Sequence, residues 1–287
     1  NTLWTNPSTI VDSRAFIDFQ LGGFSIFAKN DLVYLNGKEL SIANFDTMTT
    51  VPLRKQNTPY SAFVDVQVSG PSVAFAVKQH AFAISTSARV MADVRGIPAK
   101  AHDWANNGFD SPDEKNKLNT IRNVRTNALA WGELGLTYGT ILKREGRSIT
   151  QGAVTLKRLF GYAGAGVRLD SWTYRILDNN SIETHEFIGQ YGFNDPTTAI
   201  VNGKGWGTDI GITHKVRHKN SEDYTPHSPC TDGDYLYRIG ISLLDVGRIK
   251  FTEPFYTNDY SQNQSTMWED YQGTQADDLE AIDSLIN

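Results

Sequence analysis

Hydrophobic and polar residues alternate one by one along much of the chain. The clearest run covers residues 206–217, where Trp206 and Ile210 belong to one set of alternate positions and Asp209 and Lys215 belong to the other. Successive side chains of a β-strand point to opposite faces of the sheet. This run therefore predicts a strand with one apolar face and one polar, glycine-rich face.

The same alternation recurs between Phe16 and Phe255. It forms roughly eight to ten segments of about ten residues each, which predicts an antiparallel all-β protein. The apolar positions of the clearest segments are Val64, Val66, Val68, Leu134, Leu136, Tyr138, Val154, Leu156, Tyr235, Tyr237, Ile239, Ile241 and Leu243.

Two all-β folds fit this alternation, a soluble sandwich and a transmembrane β-barrel. The polar face favours the barrel, because it combines glycines with charged residues. A crowded lumen has use for small residues, whereas glycine weakens a strand whose polar face is open to water. Aromatic residues near segment ends resemble the girdles of a membrane barrel. They are Trp131, Tyr138, Trp206, Tyr235 and Tyr237.

We expect a single β-barrel domain over residues 1–287, with three irregular parts. Residues 1–15 form an N-terminal segment. Residues 91–126 form a long loop with a possible short helix over 111–124, where Ser111, Pro112 and Glu114 resemble a helix start. Residues 274–287 form an acidic segment whose apolar spacing, through Leu279, Ile282 and Leu285, suits a helix. Because that segment does not read as a closing strand, we expect the barrel to be incomplete at its C-terminal end and to continue after residue 287.

Composition narrows the class of protein. The chain has 287 residues and a formal net charge of −5, with no basic stripe of the kind that nucleic-acid binding requires. No apolar run is long enough for a transmembrane helix. The chain shows no signal peptide, which fits an exported protein after signal removal as well as a cytosolic one. Cys230 is the only cysteine, which excludes an internal disulfide.

Several longer stretches carry a family resemblance. Asn6-Pro7-Ser8 resembles the Asn-Pro-Ala turn near the mature N-terminus of many outer-membrane barrels. The longer stretches are 6–16 (NPSTIVDSRAF), 70–90 (GPSVAFAVKQHAFAISTSARV), 128–138 (ALAWGELGLTY), 152–166 (GAVTLKRLFGYAGAG), 205–215 (GWGTDIGITHK) and 237–251 (YRIGISLLDVGRIKF). Together they resemble a Bacteroidota family of outer-membrane barrels of unknown function. The resemblance implies export, residence in the outer membrane and, in many members, a following OmpA-like peptidoglycan-binding domain.

The residue pattern indicates no catalytic site, no cofactor site and no metal site. His214 and His218 lie on one face of a strand but about 13 Å apart, which is too far for one ion. His227 and Cys230 lack a second ligand pair. The acidic residues Asp110, Asp113 and Glu114 read more readily as a solvated turn.

Five charged residues are predicted to face the lumen, where they either pair and seal it or line an aqueous path. They are Glu133, Lys157, Asp209, Lys215 and Arg238.

We therefore expect a non-enzymatic outer-membrane barrel that serves as a structural or accessory subunit of an envelope complex. Its expected partners are outer-membrane lipid, other envelope proteins such as barrel-assembly or secretion machinery, and peptidoglycan through a further C-terminal domain. One alternative is a barrel that transports a solute. The other is a secreted sandwich that binds glycans through aromatic residues such as Trp104 or Trp172.

Overall fold

A computed structural model describes residues 3–12, 16–33, 54–102, 115–177, 181–194, 200–217, 235–251 and 255–269. These residues form one twelve-stranded sheet and a short 3-10 helix, Pro7–Asp12. The strands are β1 (Ile17–Gln20), β2 (Gly23–Asn30), β3 (Tyr60–Ser69), β4 (Ser72–Val77), β5 (His80–Ile97), β6 (Leu118–Glu145), β7 (Ser148–Ile176), β8 (Ser181–Asn194), β9 (Gly203–Arg217), β10 (Tyr235–Phe251), β11 (Phe255–Gln262) and β12 (Thr266–Glu269). The all-β prediction is confirmed.

The sheet is an antiparallel meander in which chain neighbours are also spatial neighbours. Strands β3 and β4 lie end to end along β5, as one long strand interrupted at Gly70 and Pro71. Strands β1 and β2 pair with β4 and β3 in the same way. Beyond β6 and β7, strands β9 and β8 share the far side of β7, and β10, β11 and β12 pair with them.

The two edges of this sheet are not joined. Among the described residues, β1 and β2 pair only with β4 and β3, and β10 pairs only with β9. The edge strands β2 and β10 are also exposed on both faces over most of their length. The structure thus establishes an open antiparallel sheet, while a closed transmembrane barrel stays a proposal.

The central strands bury their polar face and expose their apolar face. On β6, Glu133 and Thr137 are buried while Leu134 and Leu136 are exposed, and β7 and β9 repeat this arrangement. We call the buried face the inner face and the exposed face the outer face. Large exposed residues of the outer face are Phe75, Ile84, Leu134, Leu136, Tyr138, Val154, Leu156, Trp206, Ile210, Ile212, Tyr237, Ile239, Ile241 and Leu243. This distribution is the reverse of that in a water-soluble sheet packed on a core.

Strong curvature creates the inner face. Arg89 on β5 and Asp245 on β10 are four strands apart, which is about 19 Å in a flat sheet at about 4.8 Å per strand. Their side chains nevertheless meet, with Arg89 Nη1 lying 2.7 Å from Asp245 Oδ2. The sheet is therefore rolled into a trough, and the polar face lies on its concave side.

The prediction of a long loop over residues 91–126 is wrong at both ends. Residues 91–97 complete β5 and residues 118–126 begin β6, so part of the predicted helix over 111–124 is also strand. The polar composition misled the prediction, because these strand ends are polar yet pair residue by residue, from Met91 with Leu129 to Arg95 with Arg125. The first residues of that helix lie outside the described ranges, as does the acidic segment 274–287.

Two aromatic residues predicted for the girdles lie on the inner face. Trp131 is buried there and donates its indole N–H to Glu133 Oε1 at 2.7 Å. Tyr235 changes face because the register shifts between Tyr235 and Tyr237, and Lys215 packs over its ring. No helix among the described residues is long and apolar enough to cross a membrane.

Candidate functional site

The N-terminal segment fills one end of the trough. Residues 3–12, which we call the N-terminal plug, contain the 3-10 helix, which packs against strands β4, β5, β6, β7 and β9. The Ser8 hydroxyl lies 2.7 Å from the Thr213 hydroxyl, and Gln151 Nε2 donates to the Ser8 carbonyl at 3.0 Å. On β10, the Ser242 hydroxyl donates to the Thr5 carbonyl at 2.7 Å. The plug therefore bridges strands that are far apart in the sheet.

Two inner-face glycines make room for the plug. A Cβ added to Gly139 would lie 2.7 Å from Val11 Cγ2, and one added to Gly211 would lie 2.8 Å from Pro7 Cδ. Real Cβ atoms do not approach other heavy atoms so closely, so a larger residue at either position would displace the plug. The glycines at these inward-facing positions thus have a steric cause, as expected for a crowded interior.

Above the plug, charged side chains from six strands converge on the inner face. We call this group the interior charge cluster. It consists of Asp65 on β3, Arg89 on β5, Glu133 on β6, Lys157 on β7, Asp209 on β9 and Asp245 on β10, which contact one another through Arg89 and Lys157.

Arg89 joins the two ends of the cluster. Its Nη2 lies 2.6 Å from Asp65 Oδ2, and its Nη1 lies 2.7 Å from Asp245 Oδ2. The same Nη1 is 3.6 Å from Glu133 Oε1, and the guanidinium lies 5.1 Å from the centre of the Trp131 ring. A planar fork of donors suits this role, because it can address several carboxylates at fixed angles.

Lys157 is the second cation of the cluster and contacts three carboxylates. Its Nζ lies 2.7 Å from Asp209 Oδ2, 2.8 Å from Asp245 Oδ1 and 3.4 Å from Glu133 Oε2. Only 5% of its side chain is exposed. A charged amine can remain in such surroundings only when it is paired, and three contacts provide that pairing.

Asp245 reaches the cluster because β10 is irregular at this point. The register between β10 and β9 shifts between Leu243 and Val246, and Asp245 has a φ of 58°. Aspartate tolerates this left-handed backbone conformation better than most residues. The shift also lets the Asp245 backbone N–H donate to Asp209 Oδ1 at 2.7 Å.

Charge within the cluster is unequal, with four carboxylates against two cations. Three buried polar atoms on its β3 side lack a hydrogen-bond partner: Asp65 Oδ1, Arg89 Nε and Gln67 Nε2. Within the described ranges, no three His, Cys, Asp or Glu side chains are arranged to hold a metal ion. The cluster therefore supports an electrostatic and space-filling role.

Lys215 forms a separate ion pair next to the plug. Its Nζ contacts Asp12 Oδ1, and Arg238 Nη2 lies 3.9 Å from Asp12 Oδ2. Lys215 is fully buried, whereas 37% of the Arg238 side chain is exposed. This pair ties the end of the plug to strands β9 and β10.

All five charged residues singled out in the sequence lie on one face of the sheet, in two groups. Glu133, Lys157 and Asp209 belong to the interior charge cluster, and Lys215 and Arg238 meet at Asp12. Sequence reasoning missed three cluster members, Asp65, Arg89 and Asp245. The first two follow the alternation of their strands and could have been found from it, but Asp245 depends on the register shift.

Other residues considered in the sequence have ordinary surroundings or are not described. His214 lies within hydrogen-bond distance of the Thr150 and Ser148 hydroxyls on the neighbouring strand. Trp172 is half-buried, stacks on Tyr174 and donates its indole N–H to the Thr184 hydroxyl at 3.2 Å. Positions outside the described residues are Trp104, Asp110, Asp113, Glu114, His218, His227 and Cys230.

Fold and site together define an all-β protein with one curved antiparallel sheet, an apolar outer face and an inner face filled by a plug and an ion cluster. The chain belongs to a protein family of unknown function (DUF5723), whose model matches residues 7–287. No curated protein and no solved structure matches the chain.

Proposed function

We propose that this protein is an outer-membrane β-barrel protein that acts as a structural or accessory subunit of an envelope complex. The reversed distribution of polar and apolar residues carries the proposal. Large apolar side chains on β6, β7 and β9 are exposed although these strands lie in the middle of the sheet. Such a face is stable in lipid, whereas a soluble protein rarely leaves so large an apolar surface uncovered.

The height of the apolar surface agrees with a bilayer. On β10 the outward residues are apolar from Tyr237 to Val246, after which Arg248 follows. A tilted β-strand crosses a bilayer in about ten residues. Arg248 is paired with Trp206, over whose ring the Arg158 guanidinium packs at 4.9 Å, as expected at the boundary between lipid and water.

The filled interior favours a structural role over a conducting one. A small barrel fills its interior with side chains, and only a wide barrel leaves a channel. Here the N-terminal plug occupies one level of the trough, and the interior charge cluster bridges β5 and β10 at the next. We infer that the barrel closes by joining its two sheet edges, directly or through further strands, because an open edge is not stable in lipid.

The resemblance to a Bacteroidota outer-membrane family extends this proposal to partners. On that basis, we propose that the barrel contacts outer-membrane lipid, other envelope proteins such as assembly or secretion machinery, and peptidoglycan through a further domain. No nucleic acid and no enzymatic activity are part of the proposal, since neither a basic stripe nor a catalytic constellation is found in the sequence.

Heat-modifiability of the full-length protein tests the membrane assignment. Membrane fractions are extracted with buffer and then with detergent, and unboiled and boiled samples are compared by gel electrophoresis. We expect the protein only in the detergent extract, with a band that shifts on boiling. Recovery in buffer without a shift would refute the proposal and favour a secreted sandwich.

Conductance separates the structural barrel from a transporting one. The detergent-purified protein is inserted into planar lipid bilayers, and single-channel currents are recorded. A structural barrel with a filled interior passes no steady current, whereas open-channel steps from the intact protein would establish the transport alternative.

A further inference from the structure

Three arginines stand side by side near one end of the concave face. Arg125 on β6 is directly paired with Arg95 on β5 and with Arg168 on β7, so the three side chains share one rung and one face. Directly opposed like charges destabilise a sheet. An opposite charge placed beside the three arginines would offset this repulsion.

The structure supplies that charge for the outer two arginines only. Arg95 Nε lies 3.2 Å from Asp93 Oδ2, and Arg168 Nε lies 2.7 Å from Asp170 Oδ1. Arg125, in the middle, has no carboxylate within ion-pair distance among the residues that the structure describes. Its guanidinium keeps a full set of donors for an incoming anion.

A groove lies beside this row and gives a ligand room. It has a volume of about 390 Å³. Its lining includes Arg125, Arg168, Asn127, Gln190 and Thr257. Gly166 also lines the groove. It stands opposite Asn127, next to the pair formed by Arg125 and Arg168, and its lack of a side chain leaves space there.

We propose that this groove binds a small solute bearing phosphate or carboxylate oxyanions, with Arg125 as the central recognition residue. Arg125 and Arg168 stand directly opposite each other, with Cβ atoms about 5 Å apart, and two such guanidinium groups can hold one polyvalent oxyanion through paired N–H donors. Asn127 and Gln190 complete the polar lining, and their amides donate to Asp93 and Asp259 respectively. The proposal concerns the inner face alone, so it holds whether or not the outer face contacts lipid.

Isothermal titration of the folded full-length protein with inorganic pyrophosphate, and separately with citrate, tests the site. We expect saturable binding of at least one anion, weakened by added salt. Substitution Arg125→Gln is expected to weaken it about tenfold to a hundredfold, as the loss of a hydrogen bond to a charged group implies. The anion that binds more tightly assigns the ligand to the phosphate or the carboxylate type.

Arg122→Gln is the matched control. Arg122 is an exposed arginine of the same strand, and it does not line the groove. Its replacement removes the same charge and should leave binding unchanged. Arg125→Lys keeps the charge but loses the planar fork, and we expect intermediate affinity.

Two results would overturn the proposal. One is the absence of saturable binding of both anions to the unmodified protein. The other is an equal loss of affinity in Arg122→Gln and Arg125→Gln, which would show a general charge effect. Each variant is first checked for the unmodified protein's gel mobility and circular dichroism, and Arg125→Lys provides the comparison if Arg125→Gln does not fold.

Discussion

Replacing one outer-face leucine by arginine tests whether the outer face contacts lipid or water. Leu136 lies in the C-terminal half of β6, and its outward neighbours Ile84 and Leu156 are also exposed. If this face meets lipid, Leu136→Arg should lower the free energy of unfolding by about 1–2 kcal/mol, because Leu136 is one outward position from the boundary pair of Leu134 and Arg158 and the midplane cost of about 2–4 kcal/mol falls toward the interface. If it meets water, the change should stay within about 0.5 kcal/mol, because surface substitutions are usually that small.

Leu118 on the same strand is the matched control. Leu118 and Leu136 are each 57% exposed, so accessibility alone predicts the same effect for both. Along β6 they are separated by about 60 Å, or about 45 Å along the bilayer normal at the usual tilt. This exceeds the roughly 30 Å thickness of the hydrocarbon core. Leu118→Arg should therefore change the free energy of unfolding by no more than about 0.5 kcal/mol.

The assay is urea unfolding of the protein folded in phospholipid vesicles, with the fraction folded read from the unboiled gel band. Leu136→Arg should shift the midpoint to lower urea, and Leu118→Arg should not. Two small effects of equal size would mean that the outer face is solvated, and the membrane proposal would fail. Two large effects of equal size would refute the assignment of the bilayer boundary along β6.

Three further substitutions test the interior. Lys157→Met removes a buried cation from three carboxylates and should cost about 3–5 kcal/mol in urea unfolding, whereas the exposed Lys204→Met should change little. Gly211→Val should displace the N-terminal plug, seen as faster proteolysis of the N-terminus, and an unchanged cleavage rate would contradict the steric argument. Thr213→Val removes the buried hydroxyl that contacts Ser8 and should cost about 1–3 kcal/mol in the same unfolding assay, with a smaller loss showing that this contact is dispensable.

Alternation along the chain was sufficient to predict the strands and their faces. The period-two pattern of residues 206–217 corresponds to β9, with Lys215 and Asp209 on the buried side. Strand ends were harder, because polar residues such as Arg95 and Arg125 resemble loop residues until a partner strand is known. The backbone groups of these strand ends are hydrogen-bonded to a segment distant in the sequence, and local composition does not indicate that pairing.

The interior could be predicted only where the register is regular. Glu133, Lys157 and Asp209 follow from simple parity, and their meeting in one cluster follows from adjacent strands. Asp245 and Tyr235 do not, since each lies at a register shift of β10 that moves it to the inner face. A shift of one residue reverses the face of every later side chain, so parity alone fails beyond it.

The position of Asp245 also explains how the sheet keeps its curvature. Without the shift after Leu243, this carboxylate would not reach both Arg89 and Lys157, the cations of β5 and β7. With it, one side chain of β10 is bound to two strands that it never pairs with. Bulges increase local twist and bend a strand, so the same irregularity that brings Asp245 inward also adds to the curvature of the sheet. The interior charge cluster therefore links strands across the trough and also fills its interior.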